Sequence, residues 1–193
     1  MGPETGAEAG PGRGGEVDGR RAKGARRRRA LLDATVRLVG AVGIDGLTQR
    51  AVAAEAGVPP SAVLYYYASV DELVAAALRD CNDHHLANLA AATRAEHPLE
   101  ALAVFLAGCA DRDKVRTAAE TELWLLAARR PELRGELARW EHGLSDLAAA
   151  LAPDEVTARA LALVVDGIYV AVATDAAPSR EEIAAVLARV VGP

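Results

Sequence analysis

The stretch from Leu47 to Leu73, LTQRAVAAEAGVPPSAVLYYYASVDEL, constrains the fold more than any other part of the chain. Thr48 is placed to cap a short helix in which Ala51, Val52, Ala53, Ala54 and Ala56 allow close packing. Gly57 ends that helix, because glycine takes the left-handed conformation at almost no steric cost. Val58 is expected to enter the core, and Pro59-Pro60 restart the chain, since proline is tolerated in a helix's first turn. The next helix puts Val63 and Tyr67 one turn apart on an inner face, which turns Ser61, Ala62, Tyr65 and Tyr66 outward. A helix, a tight turn and a second helix of this kind can enter the major groove of DNA.

The rest of the chain frames that motif. Its 193 residues are rich in Ala and Leu, poor in aromatics and without the alternation of a sheet, so an all-α protein is expected. Two cysteines, Cys81 and Cys109, are too few for a disulfide framework and suit a reducing cytoplasm. No apolar stretch follows the basic N-terminal residues, as a signal peptide would require. The longest apolar run, Leu161 to Ala173, is interrupted by Asp166 and Gly167 and falls short of the ~20 residues of a membrane span. A soluble, cytoplasmic protein with no membrane partner is expected.

Charge is unevenly distributed. Residues 1–29 carry eight basic groups against four acidic ones, and the remainder carries 14 against 23. A basic end on an acidic body suits a protein that meets nucleic acid at one end; the alternative is a solvated charged tail. Residues 1–19 have no periodicity and are expected to be disordered. Arg20 to Arg29 then form a basic arm that could neutralise phosphates or reach a minor groove. It leads into a helix to about Val42, with Leu31, Ala34, Thr35, Leu38 and Val39 as its buried stripe.

Beyond the motif, Ser69 and Glu72 form a capping box that opens a long helix to about Arg94. Helices follow over Leu99 to Ala110, Asp113 to Arg129, and from Pro131 to about Leu151. Another starts at Pro153-Asp154 and carries ALALVVDGIYVAVA, and the last is opened by a Ser179/Glu182 capping box. The expected architecture is a three-helix helix-turn-helix head over residues 20–68 and a six-helix body over residues 69–193.

At this point LLDATVRL, TQRAVAAEAGV, VLYYY and SVDEL can be read together. With their spacing they resemble the TetR family of transcriptional regulators, whose heads show patterns like IL-x-AA-x-x-L, T-x-R-x-IA-x-x-AGV, LYYHF and S-K-x-x-L. The specific match covers about residues 31–73, while the body echoes the family only in helix count and in segments such as ETELWLLAARRPEL and VVDGI. The resemblance implies DNA contacts from Thr48 and Arg50, and from Ser61, Ala62, Tyr65 and Tyr66, with Arg27 and Arg28 of the arm beside them. Leu64, Tyr66 and Val70 stand where the family usually has Tyr, His and Lys, so the arm would have to supply some of the lost phosphate contacts.

The resemblance further implies a homodimer built from the last two helices, on a roughly palindromic double-stranded operator. The corresponding interface residues would be Leu161, Val164, Val165, Ile168, Val172, Ile183, Val186 and Leu187. Independently, the helix from Leu161 has almost no polar face and must be covered, by a partner or within the subunit. A small-molecule effector entering the body is also implied, moving the long fourth helix and so the spacing of the heads. Phe105, Glu120, Trp124, Trp140, Asp166 and Tyr169 are candidates to line its pocket, with His142 as a further polar anchor; the alternative, which the scarcity of aromatics favours, is ordinary core.

Other chemistries find little support. Cys81, His84, His85 and Cys109 have helical spacing for a soft metal site but lack the tight pairing such sites use, so no metal is assigned. No H-E-x-x-H, G-x-S-x-G or phosphate loop occurs, so neither an enzyme nor a cofactor is expected. The leading expectation is a homodimeric TetR-type repressor released by a small molecule. A helical interaction module that has lost DNA binding, or a helical carrier or enzyme, are the rivals.

Overall fold

The computed structural model describes residues 13–112, 114–174 and 176–192. Among them are nine α-helices and two short 3-10 turns, and no strand. The helices are α1 (Arg13–Val42), α2 (Gln49–Glu55), α3 (Pro60–Tyr66), α4 (Val70–Thr93) and α5 (Pro98–Arg112). They continue with α6 (Lys114–Arg129), α7 (Arg134–Leu151), α8 (Glu155–Ala173) and α9 (Arg180–Val191). A 3-10 turn, Ile44–Gly46, joins α1 to α2, and a second, Pro131–Leu133, precedes α7 where a helix starting at Pro131 was expected.

The first helix starts earlier than expected. Residues 13–19, read as part of a disordered tail, are already helical, and the basic run belongs to the same continuous α1. The basic residues are therefore carried along a helix rather than on a flexible arm. The expectation of disorder for residues 1–12 lies outside the described residues.

The helix-turn-helix closes as its residues dictate. Thr48 accepts the Ala51 amide at its side-chain oxygen, and α2 ends in a Schellman turn. There the Val58 amide donates to the Ala53 carbonyl and the Gly57 amide to that of Ala54, with Gly57 at φ +64°. Pro59 and Pro60 then open α3 without a side-chain cap. Val63 and Tyr67 are buried beneath it, and Gln49 donates to the Tyr67 carbonyl at 3.0 Å, tying the end of α3 to the start of α2.

The capping box at α4 is shifted by one residue. Ser69 accepts the Glu72 amide as expected, but the Glu72 carboxylate takes the amide of Ala68, not that of Ser69. At α9 the reciprocal Ser179/Glu182 box is complete.

Two apolar clusters hold the molecule together. One contains Leu31, Leu32, Val36, Val39, Val52 and Val63 of the head, together with Leu73 and Leu78 of α4 and Ala119, Leu123 and Ala127 of α6. This core therefore runs across the expected boundary at residues 68/69. The other joins α4, α5, α7, α8 and α9 through residues such as Leu102, Trp140, Leu161 and Leu187. Trp124 of α6 packs against both.

α6 is the strut between head and body. It lies so close to α1 that a Cβ on Gly40 would stand 2.5 Å from the Val115 carbonyl oxygen. Further along, the Glu122 carboxylate accepts the Ile44 amide at 2.8 Å.

The second cluster covers most of the residues expected at a dimer surface within the subunit itself. Leu161, Val165, Ile168, Val172, Ile183 and Leu187 are all buried inside their own subunit, and Val164 is half-buried. Of the residues expected at the interface, Val186 alone is openly exposed, at 45%. The outward face of α8 carries Leu163 at 57% and Val170 at 55%, with exposed Gly167 between them. α8 is also long and apolar enough, by length and composition, to cross a membrane, contrary to its reading as too short. In this fold it packs against α5, α6, α7 and α9.

Candidate nucleic-acid interface and ligand pocket

The outward face of the helix-turn-helix is set by the anchors beneath it. With Val63 wholly buried, Ser61, Leu64 and Tyr65 project into solvent, Tyr65 at 82% exposure and Leu64 at 57%. An exposed tyrosine thus stands next to an exposed leucine on a seven-residue helix. Ala62 is half-buried, and Thr48 and Arg50 are exposed at the start of α2. Leu64 was not among the candidates read from the sequence, although its place three residues after Ser61 puts it on the same face.

Tyr66 sits differently. It is half-buried against the core of the head, edge-on to Tyr65 at 5.0 Å between ring centres. The Arg28 guanidinium lies over its ring at 5.8 Å, and a Cβ on Gly24 would meet its hydroxyl at 3.6 Å. Tyr66 thus docks the basic part of α1 beside α3, in a cation–π arrangement. Arg27 and Arg28 are exposed there, whereas Arg29 is engaged by Asp33 and Asp80.

The body contains a cavity of about 140 Å³ among α4, α6, α7 and α8. Glu120, Trp124, Trp140, Asp166 and Tyr169 line it, so five of the six candidate pocket residues converge. Phe105, the sixth, lines an adjoining cavity of about 60 Å³, and His142 faces a surface groove between α4 and α7 instead. The residue missing from the candidates is His85, which lines both cavities together with Thr117 and Glu120. Its position one helical turn after Cys81 was noted only as possible metal-ligand spacing. Among the described residues no group of three His, Cys, Asp or Glu is placed to hold a metal.

His85 is the hub of the aromatic wall. Its ring lies edge-on to Tyr169 at 5.3 Å, Phe105 at 5.9 Å and Trp140 at 6.2 Å between centres. Trp140 in turn meets Tyr169 at 5.1 Å and Trp124 at 6.0 Å. The His85 Nε2 and the Glu120 carboxylate are 2.9 Å apart, and the Tyr169 hydroxyl is 3.2 Å from the His85 Nδ1. Both ring nitrogens of His85 therefore have polar partners.

The two carboxylates of the cavity are held in opposite ways. Burial opposes ionisation of Glu120, but bonds from His85 and Arg116 outweigh it and hold its carboxyl below the usual range. Burial pushes the Asp166 carboxyl up, against the bond that Trp140 Nε1 donates to it at 3.0 Å. Burial likewise pushes the Tyr169 hydroxyl well above the ordinary tyrosine value. Aromatic faces together with two carboxylates suit a flat or polyaryl cation, by cation–π attraction and charge pairing.

Comparison with known proteins finds matches to both the head and the body of the chain. The description "Bacterial regulatory proteins, tetR family" matches residues 31–77, and "Tetracyclin repressor-like, C-terminal domain" matches residues 93–193. The chain is 40% identical to a TetR-family member from Streptomyces coelicolor, covering 86% of this chain and 99% of that one with a TM-score of 0.72. It is 40% identical to the multidrug binding protein EbrR in complex with malachite green, covering 86% and 99% of the two chains at a TM-score of 0.68. It is also similar to the HTH-type transcriptional regulator BetI of Brucella anthropi, 37% identical over 86 residues. That last match spans 42% of each chain, so the chain covers less than half the length of this curated relative.

Proposed function

Because the chain belongs to the TetR family of bacterial transcriptional regulators, we propose that it is a homodimeric repressor of a palindromic operator, released when an aromatic cation enters its body. The observation that carries the DNA half is the exposed face of α3, Ser61, Leu64 and Tyr65, held outward by buried Val63 and Tyr67. Ser61 and Tyr65 offer hydroxyls to base edges or phosphates, and Leu64 and Ala62 offer apolar contact to thymine methyls. Thr48 and Arg50 flank this face as phosphate contacts, Thr48 while also capping α2. Arg27 and Arg28 extend the charge along α1, on the ledge that Tyr66 supports.

Dimerisation is assigned to the apolar strip that the subunit leaves open: Leu163, Gly167 and Val170 of α8 with Val186 of α9. A Cβ on Gly167 would meet nothing in its own subunit, so the absence of a side chain there serves no internal contact. It does allow a partner helix to approach closely.

The ligand class rests on Glu120 and Asp166 among Trp124, Trp140, Tyr169 and His85. EbrR, a relative at 39–40% identity, is a multidrug binding protein with structures holding ethidium and malachite green. At about 140 Å³ the cavity is smaller than the ~300 Å³ a drug-sized ligand needs, so binding requires side chains to move.

Selection of random duplexes by the purified protein tests this reading, followed by titration of the selected duplex with malachite green present. A palindromic motif whose affinity falls with the dye is the expected result. No selected motif at low salt would instead support a helical interaction module.

A further inference from the structure

The two cavities share three lining residues, Thr117, His85 and Glu120, and the last two are almost buried at 12% and 14% side-chain exposure. A ligand that occupies both cavities must part His85 and Glu120, which are bonded to each other. Glu120 cannot simply be left behind, because a carboxylate this far from water needs donors on both oxygens. His85 is at Oε2 and Arg116 at Oε1, at 2.9 and 2.8 Å. When His85 swings out, its place has to be taken by a donor or a positive charge of the ligand.

Arg116 is where this pocket event meets the head. Its Nε is bonded to Glu120, while its terminal nitrogen reaches Asp33 of α1 at 3.5 Å. Asp33 also receives Arg29 at 3.3 Å, and Arg29 reaches Asp80 of α4 at 3.0 Å. Glu120, Arg116, Asp33, Arg29 and Asp80 therefore form a row of alternating charges from α6 through α1 to α4. The guanidinium is a rigid fork, so its orientation is fixed jointly by the acids at its two ends. Change one acid's charge balance and the fork's grip on the other changes with it.

We propose that Glu120 is the joint at which pocket occupancy is passed to the head: a cationic ligand competes with Arg116 for its carboxylate and so loosens the Arg116–Asp33 attachment of α6 to α1. This inference rests on the aromatic-cation reading of the pocket and adds the route by which it acts. The attachment is strategic because it is the charged contact in an α1–α6 seam that is otherwise apolar and close-packed, with Gly40 against the Val115 carbonyl and the Ile44 amide, just after α1, on Glu122. Weakening the charged contact therefore leaves the apolar seam, with its two close contacts, as the pivot on which α6 tilts relative to the head. Coupling of this kind is reciprocal, so operator DNA must weaken ligand binding by the same factor.

The test compares wild type with Asp33→Asn, which lies outside both cavities. Malachite green, whose twisted rings disfavour intercalation, is the probe, and the selected operator is followed by fluorescence anisotropy. In wild type, saturating dye should lower operator affinity about tenfold or more. Asp33→Asn should bind the dye in the absence of DNA within about twofold of wild type, while the dye's effect on operator affinity shrinks to under about threefold. Asp80→Asn, at the far end of the row, should reduce the coupling in the same direction and serves if Asp33→Asn does not fold. Dye bound normally with full coupling in both variants would overturn the relay and leave the ligand reading standing. Failure of wild type to bind the dye at all would overturn the ligand reading, and the relay with it.

Discussion

Gly40 offers a test of the α1–α6 contact in which two known effects oppose each other. Replacing a helical glycine by alanine gains up to about 1 kcal/mol from backbone propensity where space allows. At Gly108 in α5 nothing lies within 4 Å of the new methyl, so Gly108→Ala should show that gain. At Gly40 the same methyl would stand 2.5 Å from the Val115 carbonyl oxygen and 2.6 Å from its Cγ1. The Cγ1 could rotate away, but the carbonyl belongs to the backbone of α6 and cannot. Overpacking of this sort costs about 1–3 kcal/mol, enough to cancel or reverse the propensity gain. At about 2–4 °C per kcal/mol for a chain of this size, Gly40→Ala should melt at least ~2–4 °C below Gly108→Ala. Calorimetry at equal protomer concentration would read this, since melting of a dimer depends on concentration. Equal melting temperatures would refute the close approach of the two helices, and with it the role of α6 as strut.

Other outcomes follow from the same structure. Tyr65→Ala should weaken operator binding by about 1–3 kcal/mol while leaving the dimer intact, measured by anisotropy and light scattering; unchanged affinity would remove Tyr65 from the interface. Leu163→Glu should yield folded monomers by sedimentation, because Leu163 is exposed in its own subunit, whereas Leu161→Glu should unfold the chain by burying a charge. A Leu163→Glu dimer would place the interface elsewhere. Glu120 has a lowered folded value, so its contribution is present above the ordinary carboxylate range and lost as pH falls through that lowered value. Urea midpoints from neutral pH down to about pH 3 should therefore fall less steeply for Glu120→Gln than for wild type. Identical slopes would mean that the His85 and Arg116 bonds do not hold the carboxyl ionised.

The head and the order of the helices were legible in the sequence, because the signals that set them are short-range. Thr48 as a cap, Gly57 as a left-handed stop and Pro59-Pro60 as a restart act within one or two turns, and the fold places all of them as read. The inner position of Val63 and Tyr67 follows from helical period alone. Period could not decide the body. α8 is apolar nearly all round, so nothing local says which side its own subunit covers; α5, α7 and α9 make that choice, burying Leu161, Val165, Ile168 and Val172 and leaving Leu163 and Val170 outside. His85 was equally undecidable, since a histidine gains meaning only from what other helices bring to its two ring nitrogens, here Glu120 of α6 and Tyr169 of α8. The row of charges from Glu120 to Asp80 spans residues far apart in the chain, and only packing α6 against α1 and α1 against α4 sets them side by side.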